Sequence, residues 1–263
     1  MKVSIIGAGA MGGAIARGLL STTSPSTPCE ITVSNPSADK LHPLARLGAI
    51  TTASNVEAVA GADVVILCVK PWLVEQVIDE IKGHIDYSRT EVAVVAAGIP
   101  TKTLAVWLGK IEDEVALPSF CIEMPNTAVS LCQSMTFQVN GFGTCPMSLS
   151  LFSRLGSAMV IEERQLGAAT SLASCGIAYA MRYVRAAMEG GVELGIRASL
   201  AQEIVVQTLI GAAGLLAQPG SHPETEIDKV TTPGGITIKG LNAMEQSGFT
   251  SAVINGLKAS TPQ

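Results

Sequence analysis

Little of this sequence is charged, and less is aromatic. Of 263 residues, 15% are Asp, Glu, Lys or Arg, 4% are Phe, Trp or Tyr, and three are histidine. The formal net charge is −5 with no basic cluster, which argues against a nucleic-acid or membrane-surface partner. Six cysteines (29, 68, 121, 132, 145, 175) are scattered without a C-x-x-C pair or a histidine at ligand spacing. Buried free thiols in a reducing cytoplasm are therefore expected, and no metal site. No leader-like segment precedes the first apolar run, so secretion is not expected. No uninterrupted apolar stretch reads as long enough to cross a bilayer. A nucleophile elbow, a P-loop lysine and paired carboxylates at a plausible mouth are missing. His42, His84 and His222 read as surface imidazoles, since none follows a core strand.

What is present is 48% hydrophobic and tilted toward small aliphatic residues that suit close helix packing. The length allows one large domain or two. The opening residues organise the rest. Lys2-Val3-Ser4-Ile5-Ile6 is a short β-branched run, Gly7-Ala8-Gly9-Ala10-Met11-Gly12 follows at once, and Ile15, Leu19 and Leu20 continue at helical spacing. Strand, glycine turn and helix opening are the context in which G-x-G-x-x-G marks a dinucleotide site. Gly7 permits the tight turn, Gly9 lets backbone approach a pyrophosphate, and Gly12 lets helix pack on strand.

Strands are expected over 29–34, 49–52, 62–69 and 91–96, alternating with helical segments at 44–47, 55–60 (capped by Ser54 or Asn55), 73–81 and 100–108. Further strands near 116–123, 134–139 and 159–162 complete a doubly wound, mostly parallel α/β sheet of Rossmann type. From residue 166 onward the pattern is helical, over 170–195, 199–218, 237–247 and 249–257, with interruptions at 219–223 and 232–235. The expected domains are 1–163, dinucleotide-binding, and 164–263, all-helical. The second has more apolar helix surface than one small bundle covers, and pairing with a second subunit is the remedy.

Ligands of such sheets lie beyond the strands' carboxyl ends. After the second strand, Ser34-Asn35-Pro36-Ser37 lacks the acidic residue that holds the ribose of NAD, which favours NADP; Lys40 is the nearest cation, and a plain turn is the alternative. Val69-Lys70-Pro71 follows the fourth strand and is read as backbone contact with cofactor. Ala96-Ala97-Gly98 follows the fifth, with no bulk to keep a flat ring away. Met124-Pro125-Asn126-Thr127 offers a polar pair to substrate or nicotinamide. Thr232-Pro233-Gly234-Gly235-Ile236-Thr237 runs into a helix and reads either as a carboxylate receptor or as an ordinary capped turn.

On these residues the chain resembles the Δ1-pyrroline-5-carboxylate reductase family over nearly its whole length. Gly7 to Gly12 with Met11, Asn55, Val69-Lys70-Pro71, Ala96-Ala97-Gly98 and Met124-Pro125-Asn126-Thr127 fall in the family's order. Val230-Thr231-Thr232-Pro233-Gly234-Gly235-Ile236-Thr237-Ile238-Lys239-Gly240-Leu241 is close to its most specific signature. The resemblance implies NADPH, with NADH as the other choice, lined by Ala8, Ala10, Met11, Ser34, Asn35, Asn55, Val69, Lys70, Pro71, Ala97 and Gly98. It implies that Thr232, Gly234 and Gly235 hold a substrate carboxylate and that Thr237 donates a hydrogen bond to the ring nitrogen; Asn126, of the polar pair above, is the further substrate-binding candidate. It further implies homodimers with interlocked helical domains, often assembled into rings. The chain departs from the pattern at Ile122, where arginine is usual, at Ala128, at Asn35-Pro36, at Thr232 and through Ala173-Ser174-Cys175-Gly176-Ile177. A related cyclic imine, or a paralogue that binds cofactor without turnover, are the alternatives. A β-hydroxyacid dehydrogenase would need a lysine within 170–195, where the cations are Arg182 and Arg185.

Overall fold

The sheet grows outward from the first strand. In the computed structural model, which describes residues 1–23, 28–109 and 117–261, β1 (Lys2–Ile6) lies between β2 (Glu30–Ser34) and β4 (Val64–Leu67). The order of the eight strands is β3-β2-β1-β4-β5-β6-β7-β8, with β3 Ile50–Thr52, β5 Glu91–Val94, β6 Ser119–Met124, β7 Ser134–Phe142 and β8 Gly156–Val160. The strands from β1 to β6 pair in parallel; β7 turns antiparallel to β6, and β8 runs parallel with β7. Strand order reverses between β1 and β4, which opens a crevice at their carboxyl ends.

Alternation along the strands builds a core on each face. Val3, Ile5, Val64 and Ile66 join Ile15 and Leu19 of α1 (Ala10–Thr22) and Leu44 of α2 (Ala38–Ala45). Ile6, Val65 and Leu67 face the other way, toward Val59 of α3 (Asn55–Val59), Val74, Ile78 and Ile81 of α4 (Val74–Ile81) and Leu104 and Leu108 of α5 (Thr101–Leu108). Beyond β7, α6 (Pro146–Ser153) adds Leu151 and Phe152 to the first core. Ser54 caps α3 by accepting the Glu57 N–H at 3.2 Å. The helical segment expected at 44–47 instead belongs to a helix beginning at Ala38, which tolerates Pro43; Gly48, at φ +99°, ends the turn after it. Of the strand expected at 116–123, residue 116 lies outside the described residues. The last strand begins at Gly156 rather than 159, because only glycine fits there: φ is +137° and a Cβ would sit 2.1 Å from the Ser134 carbonyl oxygen.

The chain divides into two compact units, Met1–Ser174 and Cys175–Gln263. By contacts α7 (Leu166–Thr170) belongs to the first of these units, where Leu166 packs on the second core. The helix expected as one piece over 170–195 is interrupted by a π turn at Ser171–Cys175 before α8 (Gly176–Glu193). The second unit continues with α9 (Ala198–Leu216), α10 (Pro223–Val230), α11 (Ile236–Gln246) and α12 (Phe249–Ser260). Helix α10 went unread because its signals are not apolar periodicity but Pro223 in the first turn, Glu224 and Glu226 beside it, and Lys229 at the end. Contrary to expectation, α9 is long and apolar enough to cross a membrane by length and composition, with mean hydropathy 1.4 and 6% of its window buried. Gln202, Glu203 and Gln207 interrupt the run without lowering its average enough to disqualify it.

One buried acid marks the sheet's antiparallel edge. Glu123 on β6 is fully buried, its Oε1 accepting from Ser148 Oγ at 2.7 Å and from Cys121 Sγ at 3.7 Å. Its Oε2 has no partner, nor has Oε1 of Gln138, the residue opposite it on β7. Burial, reinforced by the nearby Glu91 carboxylate, pushes the Glu123 carboxyl up to about 8 against those two hydrogen bonds. The folded chain therefore holds a proton that the unfolded chain, ionising near 4.5, has already lost. Stability falls as pH rises from about 4.5 to 8, by up to about 1.4 kcal/mol per pH unit, and levels off above. Urea unfolding at fixed protein concentration between pH 5 and 9 should show this slope in the wild type and lose it in Glu123→Gln. An unchanged slope in the variant would assign the titration elsewhere.

Candidate functional site

A cleft of about 580 Å³ opens at the carboxyl ends of β1, β2 and β4. Its floor is the glycine turn. Gly7 adopts φ +99°, where an added Cβ would meet the Cys68 carbonyl oxygen at 2.4 Å, and its N–H donates to Ser34 O at 2.9 Å. A Cβ on Gly12 would stand 1.9 Å from Gly7 O, so α1 packs backbone against backbone. Gly9, by contrast, has nothing within 4 Å of its Cβ position. It is the N-cap of α1, and no side chain caps the helix there. Open space beside the first N–H groups of a helix, with no side chain competing for them, fits a pyrophosphate.

The wall after β2 is a chain of hydrogen bonds. Asn35 Oδ1 accepts the Ala8 N–H at 3.1 Å, which ties the glycine turn to this loop, and Asn35 Nδ2 donates to Ser37 O. Ser34 Oγ donates to Asn55 Oδ1, and Asn55 Nδ2 donates to Glu80 Oε2, both at 2.8 Å. Lys40 and Lys70 also line the cleft, and the Lys70 ammonium lies 5.9 Å from the centre of the Trp72 ring. Burial pushes the Cys68 thiol, in the cleft wall, up to about 12, which leaves it protonated and unreactive.

Of the residues expected at the cofactor, the cleft gathers Gly7, Gly9, Ala10, Met11, Ser34, Asn35, Asn55, Val69 and Lys70. Ala8 and Gly12 support it from behind, buried in packing. Pro71 begins a short 3₁₀ turn that leads into α4. Ala97 and Gly98 sit in the exposed loop after β5, Gly98 at φ +82°, and do not line this cleft. Sequence reasoning missed Gln76 and Glu80. Their i, i+4 spacing on the polar side of α4, with Leu73 one turn earlier, was the available signal. Asn126 is buried and its amide is committed within the protein. Oδ1 accepts the Ala128 N–H at 3.1 Å, and Nδ2 donates to the Ala173 carbonyl, in the π turn, at 3.3 Å.

In the second unit the loop before α11 is a tight turn. Gly234 has φ +72°, the Gly235 N–H donates to Thr232 O at 2.9 Å, and a Cβ on Gly235 would meet Thr232 Oγ1 at 2.5 Å. Thr232, Gly234 and Thr237 are exposed, and no side chain caps the helix that follows. A helix start with spare N–H groups and two hydroxyls can receive a carboxylate. Elsewhere in that unit an apolar groove of about 530 Å³ runs between α8 and α12, lined by Tyr179, Tyr183, Phe249 and Val253 among others.

Comparison with known proteins agrees with this geometry. Residues 163–263 match the family described as pyrroline-5-carboxylate reductase dimerisation, and residues 2–97 match NADP oxidoreductase, coenzyme F420-dependent. The chain is 36% identical over 274 residues to pyrroline-5-carboxylate reductase 1 of Dictyostelium discoideum, covering 98% of this chain but 48% of that one, about half its length. It is 34% identical over 273 residues to pyrroline-5-carboxylate reductase 2 of the same organism, covering 97% and 89%. The structure of a pyrroline-5-carboxylate reductase from Coxiella burnetii superposes with a TM-score of 0.88 at 27% identity, covering 98% of this chain and 95% of that one.

The two glycines of the cradle should separate packing from binding. Gly9→Ala adds a methyl to open space, so its melting temperature should stay at the wild-type value while NADP⁺ binding by calorimetry weakens on the order of tenfold, the loss of one or two phosphate hydrogen bonds. Gly12→Ala must push α1 off the turn, costing about 1–3 kcal/mol of stability as well as the binding. Wild-type affinity in Gly9→Ala would move the pyrophosphate elsewhere.

Proposed function

The chain belongs to the pyrroline-5-carboxylate reductase family; its reaction is the NAD(P)H-dependent reduction of Δ1-pyrroline-5-carboxylate to L-proline, and we propose how its own residues perform it. The observation that carries the proposal is that the first unit holds an open glycine cradle and the second, taken by itself, an exposed Thr232–Thr237 turn at a helix start. Gly9, Ala10 and Met11 hold the dinucleotide's pyrophosphate through backbone N–H groups at the start of α1, Gly7 makes the turn that positions them, and Asn35 and Asn55, backed by Ser34, meet its adenosine end. Val69, Lys70 and Pro71, with Ala97 and Gly98, bound the nicotinamide half. NADPH is the preferred cofactor, with NADH accepted.

Thr232, Gly234 and Gly235 receive the substrate carboxylate, and the Thr237 hydroxyl hydrogen-bonds the ring nitrogen. When bound, the nicotinamide supplies hydride to the electrophilic imine carbon. Protonation of the nitrogen needs no strong general acid, because the imine arrives protonated or takes its proton from water. The protein's contribution is then positioning, which suits a chain with no histidine in the cleft wall. Asn126 acts at one remove, holding the Thr127–Leu131 turn against the π turn.

The helical unit mediates a homodimer, with ring assembly as its extension, and the apolar faces of α8, α9 and α12 are covered by a second subunit rather than by lipid. A cytoplasmic enzyme of proline biosynthesis is the setting we propose. The experiment is NADPH oxidation by the purified protein with Δ1-pyrroline-5-carboxylate and with its six-membered analogue. Turnover should be saturable and faster with the five-membered ring. Thr237→Ala should lower kcat about tenfold to a hundredfold, the weight of one transition-state hydrogen bond, with NADP⁺ affinity unchanged. Equal loss of turnover and cofactor affinity would remove Thr237 from the substrate side.

A further inference from the structure

Among the described residues lining the cofactor cleft, Glu80 is the one carboxylate, and it comes from α4 rather than from the end of β2. Its Oε2 accepts from Asn55 Nδ2 at 2.8 Å. That bond settles which way the Asn55 amide faces. With Nδ2 committed to Glu80, Oδ1 turns to Ser34, whose hydroxyl proton is then used within the wall, also at 2.8 Å. Ser34 is fully buried behind Asn55, so the lone pairs left to face the cleft are those of Glu80. A ribose diol brings two O–H donors and complements such a wall. A 2′-phosphate brings only acceptors and negative charge, and meets like with like. Lys40 and Lys70 in the same cleft pull in the opposite direction.

We infer that Glu80, held by Asn55, is a specificity-determining residue that weakens binding of the 2′-phosphorylated dinucleotide relative to the unphosphorylated one. The inference rests on the reading of this cleft as the NAD(P)H site. Cofactor preference is then a balance, with the two lysines favouring the phosphate and Glu80 opposing it. The absence of an acid after β2 removes the usual ribose ligand, and a carboxylate from a neighbouring helix restores part of the discrimination.

The test is calorimetric binding of NADP⁺ and of NAD⁺ to the full-length wild type, Glu80→Gln and Glu80→Ala at low ionic strength. The Gln variant keeps an oxygen for Asn55 but removes the charge. Its affinity ratio should move toward NADP⁺ by about fivefold, the size of a surface charge interaction. The Ala variant also frees the amide to turn its N–H groups to the cleft, and should move the ratio further the same way. Glu80 is exposed, so melting temperatures should match the wild type. Ratios unchanged in both variants overturn the role of Glu80. A wild type that binds neither nucleotide overturns the reading of the cleft itself, and does so before any variant is compared.

Discussion

The cleft at the carboxyl ends of β1, β2 and β4 depends on how closely one helix approaches the turn in front of it. A methyl group at residue 12 would lie 1.9 Å from the Gly7 carbonyl oxygen, so α1 can start where it does only without a side chain there. The same turn is held from its other side, since the N–H groups of Gly7 and Ala8 donate to Ser34 O and Asn35 Oδ1. Pinned on both sides, the first residues of α1 keep their N–H groups directed at the opening between β1 and β4. Pre-organised donors of this kind bind an anion without first having to be ordered.

Three glutamates show how placement divides one chemistry into separate roles in a chain with few charges. Glu91 is buried, and its two oxygens accept the N–H groups of Met147 and Ser148 at the start of α6, at 3.1 and 2.8 Å. A helix start supplies the compensation that a buried carboxylate requires. Glu123 has one hydroxyl and one thiol on a single oxygen and nothing on the other, and burial raises its carboxyl so that it holds a proton. Glu80 is in contact with water and is directed by an amide into the ligand cleft. Burial and available donors, not residue type, separate a helix cap from a neutral acid and from an exposed carboxylate held by an amide.

The parts of the molecule legible in the sequence were those governed by periodicity and by glycine. The β1 run, the G-x-G-x-x-G turn and the strand expected over 62–69 are local patterns with local causes; the structure has the first two as expected and the third over Val64–Leu67, the centre of the expected span. What escaped was set by tertiary partners. The start of β8 is dictated by the close pairing of Gly156 with Ser134, which no local pattern reports. The commitment of the Asn126 amide to Ala173 joins residues 47 positions apart, and a motif that reads as a substrate contact does not reveal it. Glu80 was missed for the same reason: its meaning comes from Asn55, on another helix. Helix α10 is different, because its local signals are Pro223 and the end charges Glu224, Glu226 and Lys229 rather than apolar spacing.

The second unit poses a packing problem that its own helices do not solve. Ala201 is buried, and a Cβ on Gly191 would stand 3.2 Å from it, so α8 and α9 pack through small residues on one side. The remaining faces carry Met181, Ile210 and Leu215, each more than half exposed. Lipid would satisfy the apolar residues of α9 but not Glu203, whose charge at a bilayer centre costs about 2.5–3.5 kcal/mol on insertion scales. A second protein chain satisfies both. Gly211 and Gly214, three apart on one side of α9, have nothing within 4 Å of their Cβ positions, so another helix backbone can pack closely there. Glu203, two turns earlier, can remain at the polar rim of such an interface. The composition that first stood out, rich in small aliphatic residues and poor in charge, is what a helical unit completed by a copy of itself requires.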